Sequence, residues 1–432
     1  MTAPSLGLAA IAVMFVLLFL RQPVWLTLVI CGVIGNFLLS GRYAAELVTG
    51  TSVFDTASNY NLSVIPLFIL MGEIATQSRM SAELFNAAKV MLGNLRGGLA
   101  VASIAASGAF GAVCGSSVAT AAAMTRIAMP EMRRAGYEDG FAAASVAAGG
   151  TLGILIPPSI ILVIYGSIAE QSVPRLFAAS MIPGIVLTVL YAITAILLTP
   201  RTQAGTAASG PRMSRLAALR EPWQFIVLFV VTIGGIYAGI FSPTEAAAVG
   251  AFGAIVLGFL GRRLTPSLLV YAVRSSVVTS CVLFAIIIGA TIFAQFMVQT
   301  RLPDLLLGAV HSLGLPPLGV LAAIILIYLV MGCFLEGIGM VLITVPVFLP
   351  VVVGLGYDPV WFGVIVVIVV ELGLIHPPVG MNLFIIQAQV PDVSIAKLYR
   401  GILPFLIAPF VLIILLIAAP ALALWLPSVL YG

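Results

Sequence analysis

Two short stretches of this sequence decide its fold: GILIPP at residues 153–158 and GLIHPP at residues 373–378. Both lie inside long apolar segments. A glycine followed by two prolines breaks a helix, because proline has no backbone N–H and its ring clashes with the preceding turn. In a bilayer, the freed carbonyl groups are tolerated only where they face protein or a water-filled cavity. Two related breaks are typical of secondary transporters, which bind substrate and ions near the membrane midplane.

The composition excludes a soluble protein. Hydrophobic residues make up 62% of the 432 residues and charged residues only 8%, whereas soluble domains average about 25% charged residues. We therefore predict an all-α polytopic protein with the lipid bilayer as its surroundings. No basic patch indicates a nucleic-acid partner, and the four cysteines show no disulfide or metal-site spacing. There is no Walker loop for ATP and no nucleophile–base or metal cluster for an enzyme.

Apolar segments of about 20 residues, the length that crosses a bilayer, predict about ten full spans. The first, which precedes Arg21, is interpreted as a retained helix rather than a signal peptide, because the basic charge is on the wrong side. The predicted spans are 6–20, 23–40, 62–78, 141–168, 175–199, 223–241, 244–260, 276–298, 360–388 and 403–428.

Two further apolar segments, 97–130 and 317–351, are too short for two complete crossings. Each has small or polar residues at its middle, at 115–117 (GSS) and 336–339 (EGIG). We predict that both are re-entrant hairpins whose tips stop within the bilayer.

The spacing of tips and breaks indicates a repeat. Ser116 and Pro157 are 41 residues apart, and so are Glu336 and Pro377. Basic loops are expected in the cytoplasm, and the loop 200–222 carries four arginines. When this rule is applied along the chain, the first hairpin enters the membrane from the cytoplasm and the second enters from outside. This arrangement predicts an inverted repeat.

These elements divide the chain into five predicted regions. Segments 79–96 and 262–275 are mixed in polarity and predict amphipathic interfacial helices; hinge arms and ordinary connectors both remain open. The regions are 1–96 (N-terminal scaffold helices and arm), 97–170 (first transport repeat), 171–275 (scaffold helices and second arm), 276–390 (second transport repeat) and 391–432 (C-terminal helix).

A hairpin tip that faces a broken helix offers hydroxyl and carbonyl oxygens for a cation without a permanently buried charge. Helix N-termini at the same breaks suit an anionic substrate. The predicted Na+ ligands are Ser107, Gly115, Ser116, Ser117, Gly153, Pro157, Gly337, Gly339, Gly373, His376 and Pro378. The predicted substrate-binding residues are Thr120, Thr151, Pro158, Ser159, Glu336, His376, Gly380 and Asn382.

Four carboxylates lie in apolar segments, where they are functional candidates by default. Glu336 and Glu371 flank the second tip and break, so we favour them for ion or proton roles. Glu245 follows Ser242 at a helix start, where a carboxylate complements free N–H groups. Glu73 could be a packing or interface contact, and the sequence does not rank it.

The same segments resemble the large membrane subunit, of DctM and SiaM type, of tripartite ATP-independent periplasmic (TRAP) transporters. The stretches that carry the resemblance are IPLF at 65–68, MGE at 71–73, GSSVATA at 115–121, AGGTLG at 148–153, FSPTEAA at 241–247, ITVP at 343–346 and the segment 371–384. His376 departs from the pattern, since the family usually has threonine there.

The resemblance implies a Na+-driven importer of an organic acid in the bacterial inner membrane. It implies an elevator mechanism, with the hairpins and broken helices in the moving transport domain. It further implies two partners: a small membrane subunit of DctQ or SiaQ type, and a periplasmic binding protein that delivers substrate. C4-dicarboxylates, sialic acids and other sugar acids are not separated by sequence. A stand-alone ion-coupled carboxylate carrier and an uncoupled channel or structural subunit remain alternatives.

Overall fold

A computed structural model describes residues 2–199, 214–333 and 335–432, with the backbone alone at residue 311. Every regular element in these ranges is helical. The first eleven α-helices are α1 (Ala3–Phe19), α2 (Val24–Ser58), α3 (Val64–Gln77), α4 (Met80–Leu92), α5 (Gly98–Cys114), α6 (Ser117–Arg134), α7 (Asp139–Leu155), α8 (Ile160–Ile168), α9 (Val173–Leu198), α10 (Arg215–Arg220) and α11 (Trp223–Phe229).

The remaining helices are α12 (Gly235–Tyr237), α13 (Pro243–Leu260), α14 (Pro266–Gln299), α15 (Leu302–Ser312), α16 (Pro317–Gly332), α17 (Gly337–Gly354), α18 (Pro359–Ile375), α19 (Met381–Gln389), α20 (Ile395–Ile402), α21 (Ile407–Ala418) and α22 (Ala421–Tyr431). Short 3-10 turns cover Tyr60–Ser63 and Leu403–Leu406, and a π-helical turn, Val230–Gly234, joins α11 to α12.

The all-α membrane fold predicted from the sequence is confirmed. Within the described ranges, six helices are long and apolar enough to cross a bilayer, or seven if the bent pair α7–α8 counts as one span. Several other apolar helices have only 10–17 residues. The count of ten spans and the opposite orientation of the repeats stay predictions. The loop 200–222, with Arg201 and Arg212, lies mostly outside the described residues.

The two hairpins form where the sequence predicts them. Helix α5 ends at Cys114 and α6 begins at Ser117, so the first turn lies at Gly115 and Ser116. Gly115 has φ 63°, a left-handed conformation that glycine adopts without steric cost. The second hairpin pairs α16 with α17, which begins at Gly337.

Both broken helices also form. The first is α7–α8, which bends by 42° around the double proline at 157–158. The second is α18–α19, which is interrupted between Ile375 and Met381. In each repeat the first hairpin helix packs against the first half of the broken helix, α5 against α7 and α16 against α18. Tip and break are therefore neighbours in space.

Helices α2 and α14 form a closely packed pair beside the repeats. A Cβ atom added to Gly32 would lie 2.8 Å from the backbone nitrogen of Phe293, and one added to Gly289 would lie 2.8 Å from the Trp25 carbonyl oxygen. Small residues permit this backbone approach, as is usual between membrane helices.

The predicted end of the second span at residue 40 agrees with a non-helical break at Gly41 (φ 83°), after which α2 continues to Ser58. Two other details of the predicted organisation are wrong. Within the predicted arm 262–275, residues 266–275 do not form a separate interfacial helix; they are the first turns of the continuous helix α14. The predicted last span, 403–428, is interrupted after Ala418, so α21 and α22 are separate. In each case the end of a helix depends on local backbone geometry, which the apolar composition of the segment does not predict.

The arm predicted at 79–96 does contain a separate short helix, α4. Its Glu83 forms an ion pair with Arg263, which precedes α14, and its Lys89 forms an ion pair with Glu131 of α6. Helix α4 is thus joined by charge both to the α2–α14 side and to the first hairpin.

Glu245 has the structural role that the sequence favoured. The Ser242 side chain accepts a hydrogen bond from the Glu245 backbone N–H at 3.3 Å, and the Glu245 carboxylate accepts one from the Ser242 N–H at 2.8 Å. This reciprocal pair is a capping box at the start of α13.

Candidate functional site

The first tip lies directly against the first break. A Cβ atom on Gly115 would be 3.2 Å from the carbonyl oxygen of Pro158. The residues that cap the following helices lie at the same place: Ser116 accepts a hydrogen bond from the Ala119 N–H, and Ser159 accepts one from the Leu162 N–H, both at 3.3 Å. Two helix N-termini therefore begin next to the tip–break contact, with Pro157 buried between them.

Paired glycines bring each hairpin helix into backbone contact with its broken helix. A Cβ atom on Gly111 would lie 2.1 Å from the Gly153 Cα, and one on Gly332 would lie 2.8 Å from the Gly373 Cα. Gly153 and Gly373 each stand four residues before a double proline. In both repeats, therefore, the broken helix contacts the hairpin helix about one turn before the break.

Buried hydroxyl groups line the first repeat. The Thr120 Oγ1 would lie 2.8 Å from a Cβ atom on Gly153, and the Ser107 Oγ would lie 2.8 Å from one on Gly149, about one helical turn further from the break. Both hydroxyls are fully buried, and neither has a hydrogen-bond partner among the described residues. Thr151, by contrast, donates to the Ala148 carbonyl at 2.7 Å and contacts the Tyr191 hydroxyl at 3.2 Å.

The second tip is arranged differently from the first. A Cβ atom on Gly337 would meet Val370 at 2.7 Å and Ile161 at 3.2 Å, so this tip packs on α18 and also on α8 of the other repeat. Gly339 does not face the second break: a Cβ atom there would lie 3.0 Å from Val24 of α2. The structure therefore groups Gly337, but not Gly339, with the other predicted ion ligands.

The second break is held by side chains that sequence reasoning missed. The Cys333 Sγ lies 3.7 Å from the His376 Nδ1 and 3.6 Å from the Pro377 carbonyl oxygen. The Tyr399 hydroxyl of α20 donates a hydrogen bond to the Pro378 carbonyl and to the Val379 carbonyl, the latter at 3.0 Å. Pro378 is an exposed residue. Tyr399 follows the repeat in the sequence, so no local pattern connected it to the break.

Gly380 ends the second break. It has φ 65°, and a Cβ atom there would lie 3.3 Å from the His376 carbonyl oxygen. Glycine is the residue that adopts this conformation without strain. Helix α19 begins at the next residue and places Asn382 fully buried against the first tip, where its Nδ2 donates to the Ser117 Oγ at 2.6 Å.

Both tips border one cavity of about 440 Å³, together with helix residues next to both breaks. The predicted site residues that line it all come from the tips: Gly115, Ser116, Ser117, Glu336 and Gly337. The helix residues next to the breaks are Ile154, Ile160, Leu374 and Met381. Helices α3 and α14 add two further walls, through Glu73 and Thr279. The other predicted residues are not among the described residues that line the cavity.

Two carboxylates line this cavity, Glu73 from α3 and Glu336 from the second tip. Glu73 accepts a hydrogen bond from Ser275 of α14 at 3.1 Å. No Lys, Arg or His side chain is among the described residues that line the cavity. Glu73 could not be ranked from the sequence because its relation to the tips exists only in three dimensions.

A second cavity, of about 590 Å³, lies further along α14. It is bordered by α2, α8 and α14, with the polar residues Asp55, Glu170 and Gln295. Leu283 lines the first cavity and Ile287 the second, so about one helical turn of α14 separates them. Both cavities are bordered by α8 and α14.

The whole fold is shared with a solved membrane transporter. The crystal structure of the Alcanivorax borkumensis YdaH transporter matches with a TM-score of 0.64, over 96% of this chain and 98% of that one, at 15% sequence identity. At that identity the likeness concerns the fold alone. It defines the chain as a polytopic protein of a membrane-transporter fold.

Sequence relatives define the family. The model of the "Tripartite ATP-independent periplasmic transporter, DctM component" matches residues 11–422, and the chain belongs to this family. It is 37% identical to the C4-dicarboxylate TRAP transporter large permease protein DctM of Pseudomonas aeruginosa (90% of this chain, 93% of that protein). It is 31% identical to the sialic acid permease SiaM of Vibrio cholerae (96% and 97%) and 33% identical to the ectoine/5-hydroxyectoine permease UehC of Ruegeria pomeroyi (96% and 96%).

The predicted family is therefore confirmed. The chain is the large permease component of a TRAP transporter, a transport protein of the inner membrane rather than an enzyme. The family description makes it one component of a tripartite system.

Proposed function

We propose that this permease imports a small organic acid by Na+-coupled secondary transport with an elevator movement. The observation that carries the proposal is the 440 Å³ cavity that is lined by both hairpin tips and by helix residues next to both breaks. Its size is in the range of small-molecule binding sites, about 300–1,000 Å³. It lies between the hairpins and broken helices on one side and α3 and α14 on the other, which is where a moving domain would slide along a fixed one. In this proposal α14 belongs to the fixed part, although the sequence analysis placed most of it in the second transport repeat, 276–390.

The oxygen atoms at the first tip and break fit a sodium ion. Buried hydroxyls without protein partners, at Ser107 and Thr120, are costly unless something else binds them. Unwound backbone near Pro157 adds carbonyl groups, which are the usual Na+ ligands at transporter helix breaks. At the second break, carbonyl groups already accept hydrogen bonds from Cys333 and Tyr399. We therefore assign this break to a second cation site of lower intrinsic Na+ affinity.

Charge supports the coupling of ion and substrate. An anion that enters a cavity bordered by Glu73 and Glu336 meets negative charge and no basic side chain among the described lining residues. Bound cations, together with the N-termini of α6 and α17, would supply the opposing positive potential. Substrate and Na+ would then each require the other, which is the basis of symport.

The named substrates of the relatives differ: C4-dicarboxylate, sialic acid and ectoine. For this chain we propose an organic acid without a narrower assignment. We also propose a small DctQ-type membrane subunit and a periplasmic binding protein as partners. A relative named "Isethionate TRAP transporter permease protein DctMQ" supports the first, since this chain covers 59% of its length.

A proteoliposome assay tests the proposal. The permease is reconstituted with its small subunit and binding protein, and uptake of C4-dicarboxylates, sialic acid and other sugar acids is measured with and without an inward Na+ gradient. We expect uptake of at least one acid that needs both the gradient and the binding protein. Uptake without the binding protein would indicate the stand-alone carrier, and uptake indifferent to the gradient would refute sodium coupling.

A further inference from the structure

One buried carboxylate is not used by the site described above. Glu371 lies on α18, two residues before Gly373, and its side chain is almost fully buried, at 2% exposure. Neither carboxyl oxygen has a hydrogen bond of normal geometry to a described residue, although the Ser117 hydroxyl is close enough to interact with the carboxyl. No ion pair joins it to a Lys or Arg in the described ranges. A buried charge in this condition is either neutralised or paired with a cation.

An alignment of the two repeats shows how the position of Glu371 differs from its counterpart. With Pro157 aligned to Pro377, Glu371 corresponds to Thr151. The Thr151 hydroxyl is satisfied by the Ala148 carbonyl and the Tyr191 hydroxyl. Glu371 lies within electrostatic range of the same Tyr191, but it forms no such bond. One repeat thus has a satisfied neutral group where the other has an unsatisfied acid.

Two further polar side chains, Ser117 and Asn382, connect Glu371 to the other elements of the site. The Ser117 hydroxyl, at the start of α6, lies beside the Glu371 carboxyl. Ser117 accepts the amide N–H of Asn382, and the Oδ1 of that fully buried amide has no partner in the described part of the chain. Ser117 belongs to the first repeat, whereas Glu371 and Asn382 belong to the second.

We propose that Glu371, Ser117 and Asn382 form a monovalent-cation site between the two repeats, in addition to the tip–break sites within each repeat. Carboxylate, hydroxyl and amide oxygens are the hard ligands that such ions require. The proposal rests on the proposed sodium coupling and extends it. A cation here is bound only when the first tip and the second break are in contact, so its binding links the two repeats to each other.

The test compares Glu371→Gln, Glu371→Asp and the control Glu46→Gln in the reconstituted complex. Glu46 is an exposed carboxylate paired with Arg42, and it lines neither of the two cavities described above. The number of Na+ ions coupled to each substrate is measured from the membrane potential at which net uptake reverses. We expect Glu371→Gln to lose one Na+ per substrate and Glu371→Asp, which keeps the charge, to retain the wild-type number with weaker Na+ affinity.

A second measurement applies if Glu371→Gln does not transport. The melting temperature of the purified complex is followed as NaCl replaces choline chloride, because a ligand that binds only the native state stabilises it. We expect a smaller Na+-dependent increase for Glu371→Gln than for wild type, with Glu371→Asp between them.

The outcomes separate the two proposals. If wild-type transport shows no dependence on Na+, the proposed function fails. If wild type depends on Na+ and Glu371→Gln keeps both the coupling number and the melting curve, Glu371 is a permanently neutral acid and the inter-repeat cation site is refuted.

Discussion

The contact between α5 and α7 gives the sharpest test of the structure. Replacing Gly111 with alanine adds one methyl group, whose carbon would lie 2.1 Å from the Gly153 Cα and 2.9 Å from its backbone nitrogen. Both neighbours are backbone atoms, so no side-chain rotation relieves the clash. The helices must separate, and the break at residues 157–158 moves with Gly153.

The size of the effect follows from the distance. Ordinary contacts of a Cβ atom begin near 3.4 Å, so the helices must move apart by about 1.3 Å, since a packed interior has no free space. Overpacking of this kind costs about 1–3 kcal/mol. If that strain falls on the ion-binding conformation, Na+ affinity decreases about 5- to 150-fold. Gly332→Ala, with 2.8 Å to the Gly373 Cα, requires a smaller displacement and should be milder.

The assay measures Na+-dependent uptake and the melting temperature of the purified complex for both variants. Gly308→Ala on α15 is the matched control, because its added methyl group meets no described atom within 4 Å. Alanine favours a helix over glycine by up to about 1 kcal/mol, so the control should be as stable as wild type or more so. Wild-type uptake and melting temperature for Gly111→Ala would show that α5 and α7 are not in backbone contact.

Three further substitutions test individual site residues in the same uptake assay. Ser116→Leu places a bulky group at the cavity wall and should lower uptake by about tenfold or more without loss of folded protein; normal transport would remove the first tip from the site. Glu336→Gln should raise the Na+ concentration for half-maximal uptake by about tenfold, equivalent to 1.4 kcal/mol, and an unaltered Na+ response would exclude it as an ion ligand. His376→Thr loses the Cys333 contact, at a cost of about 0.5–1.5 kcal/mol, and should keep sodium coupling while changing the preference among acids; identical kinetics for several acids would leave His376 a packing residue.

The sequence predicted the hairpins and breaks because these depend on the local chemistry of the backbone. Proline and glycine act on their own turn of helix, so the double prolines and Gly115 are visible without any knowledge of neighbours. The prediction divides α14 incorrectly, because the continuity of this helix does not depend on local backbone chemistry. The polar stretch around Arg274 predicts an interfacial helix, whereas charged residues near the end of a membrane helix can extend beyond the lipid without a break in the helix.

The site was predicted only in part because several of its contacts join residues far apart in the chain. The oxygens near Gly153 were expected from tip and break. The bond between Ser117 and Asn382, the contacts of Tyr399, and the shared cavity of Glu73 and Glu336 arise from packing between distant segments, which no spacing in one sequence reveals. Gly339, whose role as an ion ligand stays a prediction, faces Val24 of α2 because a helix turns successive residues to different neighbours.

The uninterrupted length of α14 has a consequence for the lipid around the protein. Its 34 residues extend about 51 Å, against a hydrocarbon thickness of about 30 Å. Gln299 at one end contacts Ser40, and Arg263, just before the other end, is tied to Glu83. A rod anchored at both extremities responds to a thinner or thicker membrane by changing its tilt. Acyl-chain length should therefore alter the transport rate even where every ligand remains in place.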